Sequence, residues 1–250
     1  MKQDLNFIYG RNAVIEVLKT GRPVDQLIIV NGNLQGSIKQ IVAMAKEKKI
    51  LVKYVPRTKL DEMAEGKNHQ GVIAKVAAHQ YSELKDIFAL AEKKGEAPFI
   101  IILDGIEDPH NLGAILRTAE CAGAHGVIVA KRRAVGLTEV VAKTAAGAIE
   151  HIPVVKATNI VQTIQSLKEK GVWIYGADMD GEKQFFEQDM TGAMGLVIGN
   201  EGKGMSRLVK ESCDFIVRIP LKGFVTSLNA SVAGSVLMYE VVRQRMQNGK

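Results

Sequence analysis

Apolar and polar positions alternate along this chain in blocks that predict amphipathic helices and short buried strands in turn. Spacings of three and four residues place Ile38, Ile41 and Ala45 on one face of a predicted helix. The run FIIIL at 99–103 is apolar throughout, as in a strand that is covered on both sides. Strands that alternate with helices in this way predict an α/β protein with a largely parallel sheet.

The predicted elements fall into two series. In the first, strands are expected at 26–30, 50–55 and 71–78, and helices at 10–21, 37–49 and 57–65. In the second, strands are expected at 99–103, 126–130, 152–155, 172–176, 195–199 and 215–219, and helices at 112–123, 138–149, 158–170, 204–212 and 227–247. We therefore predict domains over residues 1–78 and 98–250, with residues 79–97 as the linker, where Lys, Gly, Glu and Pro accumulate.

Charge is distributed unevenly over these two series. Residues 1–78 hold 13 Lys and Arg against 7 Asp and Glu, whereas residues 79–250 hold 20 of each, so the first series carries the whole net charge of +6. Such an excess favours contact with a polyanion, most commonly nucleic acid, although a lysine-rich solvated surface gives the same count.

The remaining composition excludes several classes of protein. The two cysteines lack CxxC spacing, which argues against a disulfide framework or a zinc site and favours the cytoplasm. The apolar runs are too short to cross a bilayer, and the N-terminal segment has no apolar core of signal-peptide length. We expect neither a membrane nor a metal to be a partner.

Ligands of parallel sheets bind beyond the carboxyl ends of the strands, so the loops after residues 103, 176, 199 and 219 are the places to search for chemistry. In the first loop, Asn111 is predicted to cap the next helix. Arg117 follows within an otherwise apolar helical stripe, where it either faces a site or reaches solvent along its aliphatic stem. Without a Cys or carboxylate at metal spacing, His110 is interpreted as a loop residue and His125 as a turn residue.

Two later loops carry glycine and small polar residues. The segment 199–204, GNEGKG, leaves backbone N–H groups accessible to a ligand, but it matches neither GxGxxG nor the P-loop pattern. A nicotinamide enzyme and a nucleotide triphosphatase are therefore disfavoured. The segment 226–229, TSLN, precedes an apolar helix, and by itself Ser227 or Asn229 is explained as a helix cap.

Three segments together resemble the signature motifs of the SpoU-type ribose 2′-O-methyltransferases of the SPOUT superfamily. They are NLGAILRTA at 111–119, GNEGKGM at 199–205, and IPL with SLNASVA between 219 and 233. IYGRNAVIEVL at 8–18 is similar to the branch whose small N-terminal RNA-binding domain is related to ribosomal protein L30. The resemblance implies a second domain with a parallel sheet and a deep trefoil knot, and homodimers formed through that domain.

The resemblance also implies a cofactor and a set of site residues. S-adenosylmethionine would be held by Gly199, Ile219, Leu228 and Asn229, largely through backbone groups. Asn111, Arg117, Glu201, Ser227 and Asn229 match the family's catalytic polar set. The implied reaction methylates a ribose 2′-hydroxyl in RNA. The best-known members of this branch act on a guanosine of 23S ribosomal RNA, which is therefore the expected target, although the motifs are less specific for the nucleotide than for the reaction.

Three alternatives stay open at this point. The same chemistry could act on transfer RNA or on another ribosomal site, including one whose methylation blocks an antibiotic. A non-catalytic RNA-binding protein could use the same fold as a platform. A nicotinamide enzyme on a Rossmann sheet is disfavoured by the missing glycine fingerprint.

Overall fold

A computed structural model of the chain describes residues 7–20, 23–32, 36–76 and 80–248. These residues form two compact units. The first comprises the described residues up to Gln80 together with Gly136–Glu139, and the second comprises Tyr81–Val135 and Val140 onward.

The first unit is a four-stranded mixed sheet with helices on both faces. Its elements are β1 (Phe7–Tyr9), α1 (Arg11–Thr20), β2 (Val24–Val30), α2 (Ser37–Glu47), β3 (Leu51–Val55), α3 (Arg57–Ala64) and β4 (Val72–Val76). The described strands lie in the order β1-β4-β2-β3, and β2 and β3 are parallel while the other pairs are antiparallel. Helices α1 and α2 pack on one face through residues such as Leu18 and Ile41, and α3 packs on the other through Leu60.

The second unit holds a parallel sheet of seven strands among the described residues. Its elements are α4 (Leu84–Lys94), β5 (Phe99–Asp104), α5 (Pro109–Cys121), β6 (Gly126–Ala130), α6 (Glu139–Thr144), β7 (Val154–Ala157), α7 (Ile160–Lys168), β8 (Trp173–Ala177), β9 (Lys183–Gln184), β10 (Met194–Gly199), α8 (Arg207–Ser212), β11 (Phe215–Arg218) and α9 (Ala230–Asn248). The described strand pairs of this sheet are all parallel, and the order is β7-β6-β5-β10-β8-β11-β9. The α/β class and the parallel sheet are thereby confirmed, and the deep knot stays a prediction.

Both faces of this sheet are covered, which explains the continuous apolar runs of its central strands. Ile100 and Ile102 of β5 pack with Ile87 of α4 and Ile164 of α7 in one buried cluster. On the sheet, α9 approaches so closely that a Cβ added to Gly234 would lie 2.6 Å from Cδ1 of Ile198. A larger residue here would have to displace the end of the Ile198 side chain, so the small size of Gly234 lets α9 pack close to the sheet.

Helix α4 lies within the predicted linker. Ile87 is fully buried in the core of the second unit, and Leu84 and Phe88 pack against the same cluster. The domain boundaries themselves stay a prediction.

Several details of the local structure differ from the sequence expectations. The cap of α5 is Asp108, whose carboxylate accepts from the backbone N–H of His110 at 2.9 Å, and Asn111 lies inside the helix. The helix expected at 138–149 stops at Thr144, because Ala146 and Gly147 adopt positive φ angles of 49° and 90°. The short strands β1 and β9 were not predicted.

His125 is more than a turn residue, because its imidazole is fully buried. Its Nδ1 accepts from the backbone N–H of Phe99 at 3.0 Å, and its Nε2 lies 3.1 Å from a carboxylate oxygen of Glu96. Burial, with a smaller contribution from Lys94, lowers the pKa of His125 below its ordinary 6.5. The neutral ring therefore joins the end of α4 to β5 and β6.

Candidate active site

A cavity of about 450 Å³ opens at the carboxyl ends of β8, β10 and β11, which lie next to one another in the sheet. The loops that follow these strands form its walls, as expected for a parallel sheet. The apolar part of the lining comprises Ile198, Val217, Ile219, Leu221, Leu228, Ala230 and Ala233. Polar lining includes Asp178, Asp180, Glu201, Lys203, Thr226 and Ser227.

The loop after β10 is closed on itself by its own backbone. The N–H of Asn200 donates to the carbonyl of Gly204 at 3.0 Å, and the N–H of Gly204 donates back at 2.8 Å. The side chain of Asn200 accepts from the N–H of Gly202 and donates to the carbonyl of Gly105, which fixes the loop against the end of β5. Gly204 adopts a φ of +65°, which favours glycine.

Gly199 stands where this loop begins, and no side chain would fit there. A Cβ at this position would lie 2.4 Å from the carbonyl carbon of Gly204 and 2.4 Å from the nitrogen of Met205. Both atoms belong to the backbone, so a side chain would have to displace the loop itself. This glycine therefore sets the shape of the cavity wall.

Asn111, Glu201 and Asn229 meet in one hydrogen-bonded cluster although they are far apart in sequence. Asn111 donates from Nδ2 to Oε1 of Glu201 at 2.8 Å, and Asn229 donates from Nδ2 to Oδ1 of Asn111 at 3.0 Å. Asn229 also donates to Oε1 of Glu201. The cluster ties α5 to the glycine loop and to the start of α9.

Asn229 is also the cap of α9. Its Oδ1 accepts from the backbone N–H of Ser231 at 3.0 Å and from that of Val232 at 3.3 Å, which satisfies donors that the first turn of a helix leaves unpaired. The carboxylate of Glu201 accepts from the N–H of Ala230 at 3.3 Å and places negative charge at the positive end of the helix. Asn229 therefore both caps α9 and belongs to the hydrogen-bonded cluster.

Arg117 and Ser227 lie outside this cluster. Arg117 is exposed on α5, and it makes no hydrogen bond or ion pair with any residue that the structure describes. Arg117 lies six positions after Asn111 in this helix, which places it about 9 Å along the axis and roughly 120° around it. Ser227 lines the cavity, together with Gly199, Ile219 and Leu228. Asn229 adjoins the cavity through Leu228 and Ala230.

An acidic wall that no motif indicated faces the glycine loop. Asp178 and Asp180 follow β8 and line the cavity, and Nζ of Lys210 lies 3.0 Å from a carboxylate oxygen of each. The pKa of the Lys210 ammonium group is raised mainly by its hydrogen bond to Asp180 and, to a smaller extent, by its hydrogen bond to Asp178. The rule that ligands bind after strand ends indicated this loop, but it could not select these two residues.

Two further observations concern the described residues as a whole. Among the residues that the structure describes, no group of three or more His, Cys, Asp or Glu side chains is arranged to hold a metal ion. None of the described helices combines the length and the apolar character that crossing a bilayer requires.

Comparisons with known proteins agree with this geometry. The model of the SpoU rRNA Methylase family matches residues 98–239, and the model named RNA 2′-O ribose methyltransferase substrate binding matches residues 7–82. The "Putative TrmH family tRNA/rRNA methyltransferase YacO" of Bacillus subtilis (strain 168) is 51% identical over 250 residues, covering 100% of both chains.

Solved structures with the same fold include two methyltransferases. The AdoMet-bound rRNA methyltransferase from Sinorhizobium meliloti has a TM-score of 0.60 and 26% identity, covering 95% of this chain and 86% of its own. The SpoU methyltransferase AviRb from Streptomyces viridochromogenes, in complex with AdoMet, has a TM-score of 0.62 and 24% identity, covering 96% of this chain and 90% of its own. The family models and the Bacillus relative together show that this chain belongs to the SpoU rRNA methylase family.

Proposed function

We propose that the protein transfers a methyl group from S-adenosylmethionine to the ribose 2′-hydroxyl of a guanosine in 23S ribosomal RNA. The observation that carries the reaction class is the cavity at the strand ends, walled by the glycine loop and adjoined by the Asn111–Glu201–Asn229 cluster. The ribosomal target is supported by the basic N-terminal series and by the family match, although the names of the relatives include both rRNA and tRNA.

The cavity fits the proposed cofactor in size and in chemistry. Its volume of about 450 Å³ lies within the usual range for small-ligand sites. Ile219, Leu221 and Leu228 offer an apolar slot for the adenine, and the Gly199 backbone is accessible because no side chain covers it. Asp178 and Asp180 share the single ammonium group of Lys210, so one negative charge of the pair is left to attract the positively charged part of the cofactor.

The bound cofactor supplies a methyl group made electrophilic by its sulfonium. A ribose 2′-hydroxyl is a weak nucleophile that must lose its proton as it attacks, so the protein has to position it in line and stabilise the developing alkoxide. We assign the second task to Arg117. Arginine keeps its proton at neutral pH, which makes it unsuitable as a base but suited to a phosphate and to an oxyanion. Water or the neighbouring phosphate would then receive the proton.

The assignment of Arg117 to the RNA is supported by the absence of a protein partner for its side chain among the described residues. Its guanidinium is exposed and has no partner among the described residues, so it is free to hold an RNA phosphate. It does not line the cofactor cavity. Its removal should therefore affect the reaction with RNA and leave cofactor binding intact.

Asn111, Glu201 and Asn229 are proposed to position the site. Oε1 of Glu201 is engaged by Asn111, Asn229 and the Ala230 N–H, so this oxygen is occupied in holding the loops together. Ser227 presents a hydroxyl to the cavity and is assigned to orient the ribose. Leu228 is proposed to present its backbone to the adenine.

Two measurements test the function. Calorimetry should show binding of S-adenosylmethionine, and an absence of binding would instead favour an RNA-binding protein without catalysis. Mapping 2′-O-methyl positions in ribosomal and transfer RNA from a strain of the source organism lacking this gene should reveal one missing methyl group on a 23S rRNA guanosine. A methyl group missing from a transfer RNA would retain the reaction and reject the target.

The proposal includes a cytoplasmic homodimer formed through the second unit. Val232, Val236 and Tyr239 of α9 are 48%, 37% and 52% exposed, and their spacing places them on one face of the helix. A continuous apolar face of this kind is typical of a surface that a partner buries, and a second copy would do so symmetrically. Light scattering should give a dimer for the native chain and a monomer for Tyr239→Glu. A dimer unaffected by Tyr239→Glu would place the interface elsewhere.

A further inference from the structure

A second cavity, of about 490 Å³, lies within the N-terminal unit and is lined by two arginines. Its lining comprises Arg11, Val30, Arg57, Gln70 and Gly71. Arg11 is the first residue of α1 and Arg57 the first residue of α3. Helical side chains point back toward the N-terminus of their own helix, which directs both guanidinium groups beyond the helix ends. From this convergence we propose that the cavity binds a backbone phosphate of the RNA substrate.

Arg11 is held in a fixed orientation. Its Nε donates to the main-chain carbonyl of Gln70 at 3.0 Å, and its backbone N–H donates to Oε1 of the same residue at 2.9 Å. Its two Nη groups have no partner among the described residues. A guanidinium anchored through Nε keeps both terminal nitrogens available to two oxygens of one phosphate, and its orientation is set before RNA binds.

The turn that holds Arg11 is itself supported by buried polar contacts. Gln70 and Gly71 adopt positive φ angles of 49° and 85°. His69 is 6% exposed, and its Nδ1 accepts from the N–H of Gly71 at 3.0 Å while its Nε2 lies 2.7 Å from Oδ1 of Asp61. A left-handed conformation at a non-glycine residue is costly and persists where the surroundings impose it.

No carboxylate among the described residues neutralises either arginine. Asp61 is engaged by His69, and Glu62 by Lys59 at 2.7 Å. Arg57 is exposed and makes no ion pair or hydrogen bond with a described residue. Two guanidinium groups beside one cavity are suited to hold an anion, and RNA phosphate is the anion that the proposed function supplies.

This inference rests on RNA being the substrate and is tested without the methyl transfer step. The probe is a fluorescein-labelled, mixed-sequence RNA of about 30 nucleotides, since phosphate contacts are independent of sequence. The Arg11→Gln/Arg57→Gln double variant should bind it at least about tenfold more weakly. The slope of log affinity against log salt should become shallower by about 0.7 to 0.9 for each phosphate that the variant no longer neutralises.

A matched control removes the same charge elsewhere on the unit. Lys46 and Lys48 are exposed near the end of α2, and the Lys46→Gln/Lys48→Gln variant should retain most of the affinity. If the arginine variant binds as tightly as this control, the cavity does not hold a phosphate. Arg57→Gln alone removes no hydrogen bond or ion pair with a described residue. If the double variant fails to fold, the RNA affinity of this single variant is measured in its place and should also fall below that of the control. The RNA-binding assay contains no S-adenosylmethionine, so its result does not depend on methyl transfer. If the native chain failed to transfer a methyl group, the proposed function would be rejected, and the difference in RNA affinity between the variants would still stand.

Discussion

Arg117→Ala should lower the rate of methyl transfer by about 10²–10³-fold while S-adenosylmethionine binds as it does to the native chain. The magnitude is that of removing one preorganised donor that stabilises a developing negative charge. Cofactor affinity should be unchanged because Arg117 does not line the cavity and makes no hydrogen bond or ion pair with a described residue. Single-turnover methylation of saturating RNA measures the first quantity, and calorimetry measures the second.

Two companion variants separate charge from geometry. Arg117→Lys keeps the positive charge but lacks the planar two-pronged donor, so its rate should fall between those of the native chain and Arg117→Ala. Lys93→Ala removes an exposed cation from α4 and should methylate normally. A raised KM with unchanged kcat in Arg117→Ala would mean that the arginine contributes binding alone. Methylation by Arg117→Ala at nearly the native rate would reject both of its proposed roles.

The architecture could be predicted because each central strand or helix shows a clear apolar pattern within its own segment of sequence. The apolar run at 99–103 is the core of β5, and the structure extends it by one residue to Asp104. Parallel pairing then follows from the alternation with helices. The two-residue strand β9 was not predicted because an element of that length is too short to show a periodicity. In the structure it is defined by its pairing with β11.

Local capping was harder to predict where several capping residues compete. Asp108 and Asn111 both suit the start of α5, and Pro109 favours Asp108, because proline is well tolerated at the first helical position. Asn111 is thereby released from the cap and can reach Glu201. The helix expected from 204 begins at Arg207, because the backbone pair of Asn200 and Gly204 closes the loop first.

Which residues meet at the candidate site was predictable where the chain repeats a known motif and unpredictable where only the fold brings residues together. Asn111, Glu201 and Asn229 were grouped by resemblance, and the structure places them within hydrogen-bond distance of one another. Asp178 and Asp180 lie in a loop that the strand-end rule indicated, but aspartates in loops are common and nothing in the sequence distinguishes these two. Their proximity to Lys210 and to the cavity depends on the pairing of β8 with β11.

Gly199→Ala should weaken the binding of S-adenosylmethionine, because the added methyl group would push against the backbone of the glycine loop. The added Cβ would lie 2.4 Å from backbone atoms of Gly204 and Met205, so the closed loop, and not a flexible side chain, has to move. Overpacking of this kind costs about 1–3 kcal/mol. If that cost falls on the cavity wall, affinity for S-adenosylmethionine should decrease by roughly 10- to 100-fold.

Gly202→Ala provides the matched control within the same loop. A Cβ at Gly202 meets Oδ1 of Asn200 at 3.7 Å, an ordinary contact, so calorimetry should give nearly native cofactor affinity for this variant. Urea denaturation of both variants separates a general loss of stability from a change confined to the cavity. Native cofactor affinity in Gly199→Ala would show that the loop yields without cost, and the assignment of this backbone to the cofactor would then be wrong.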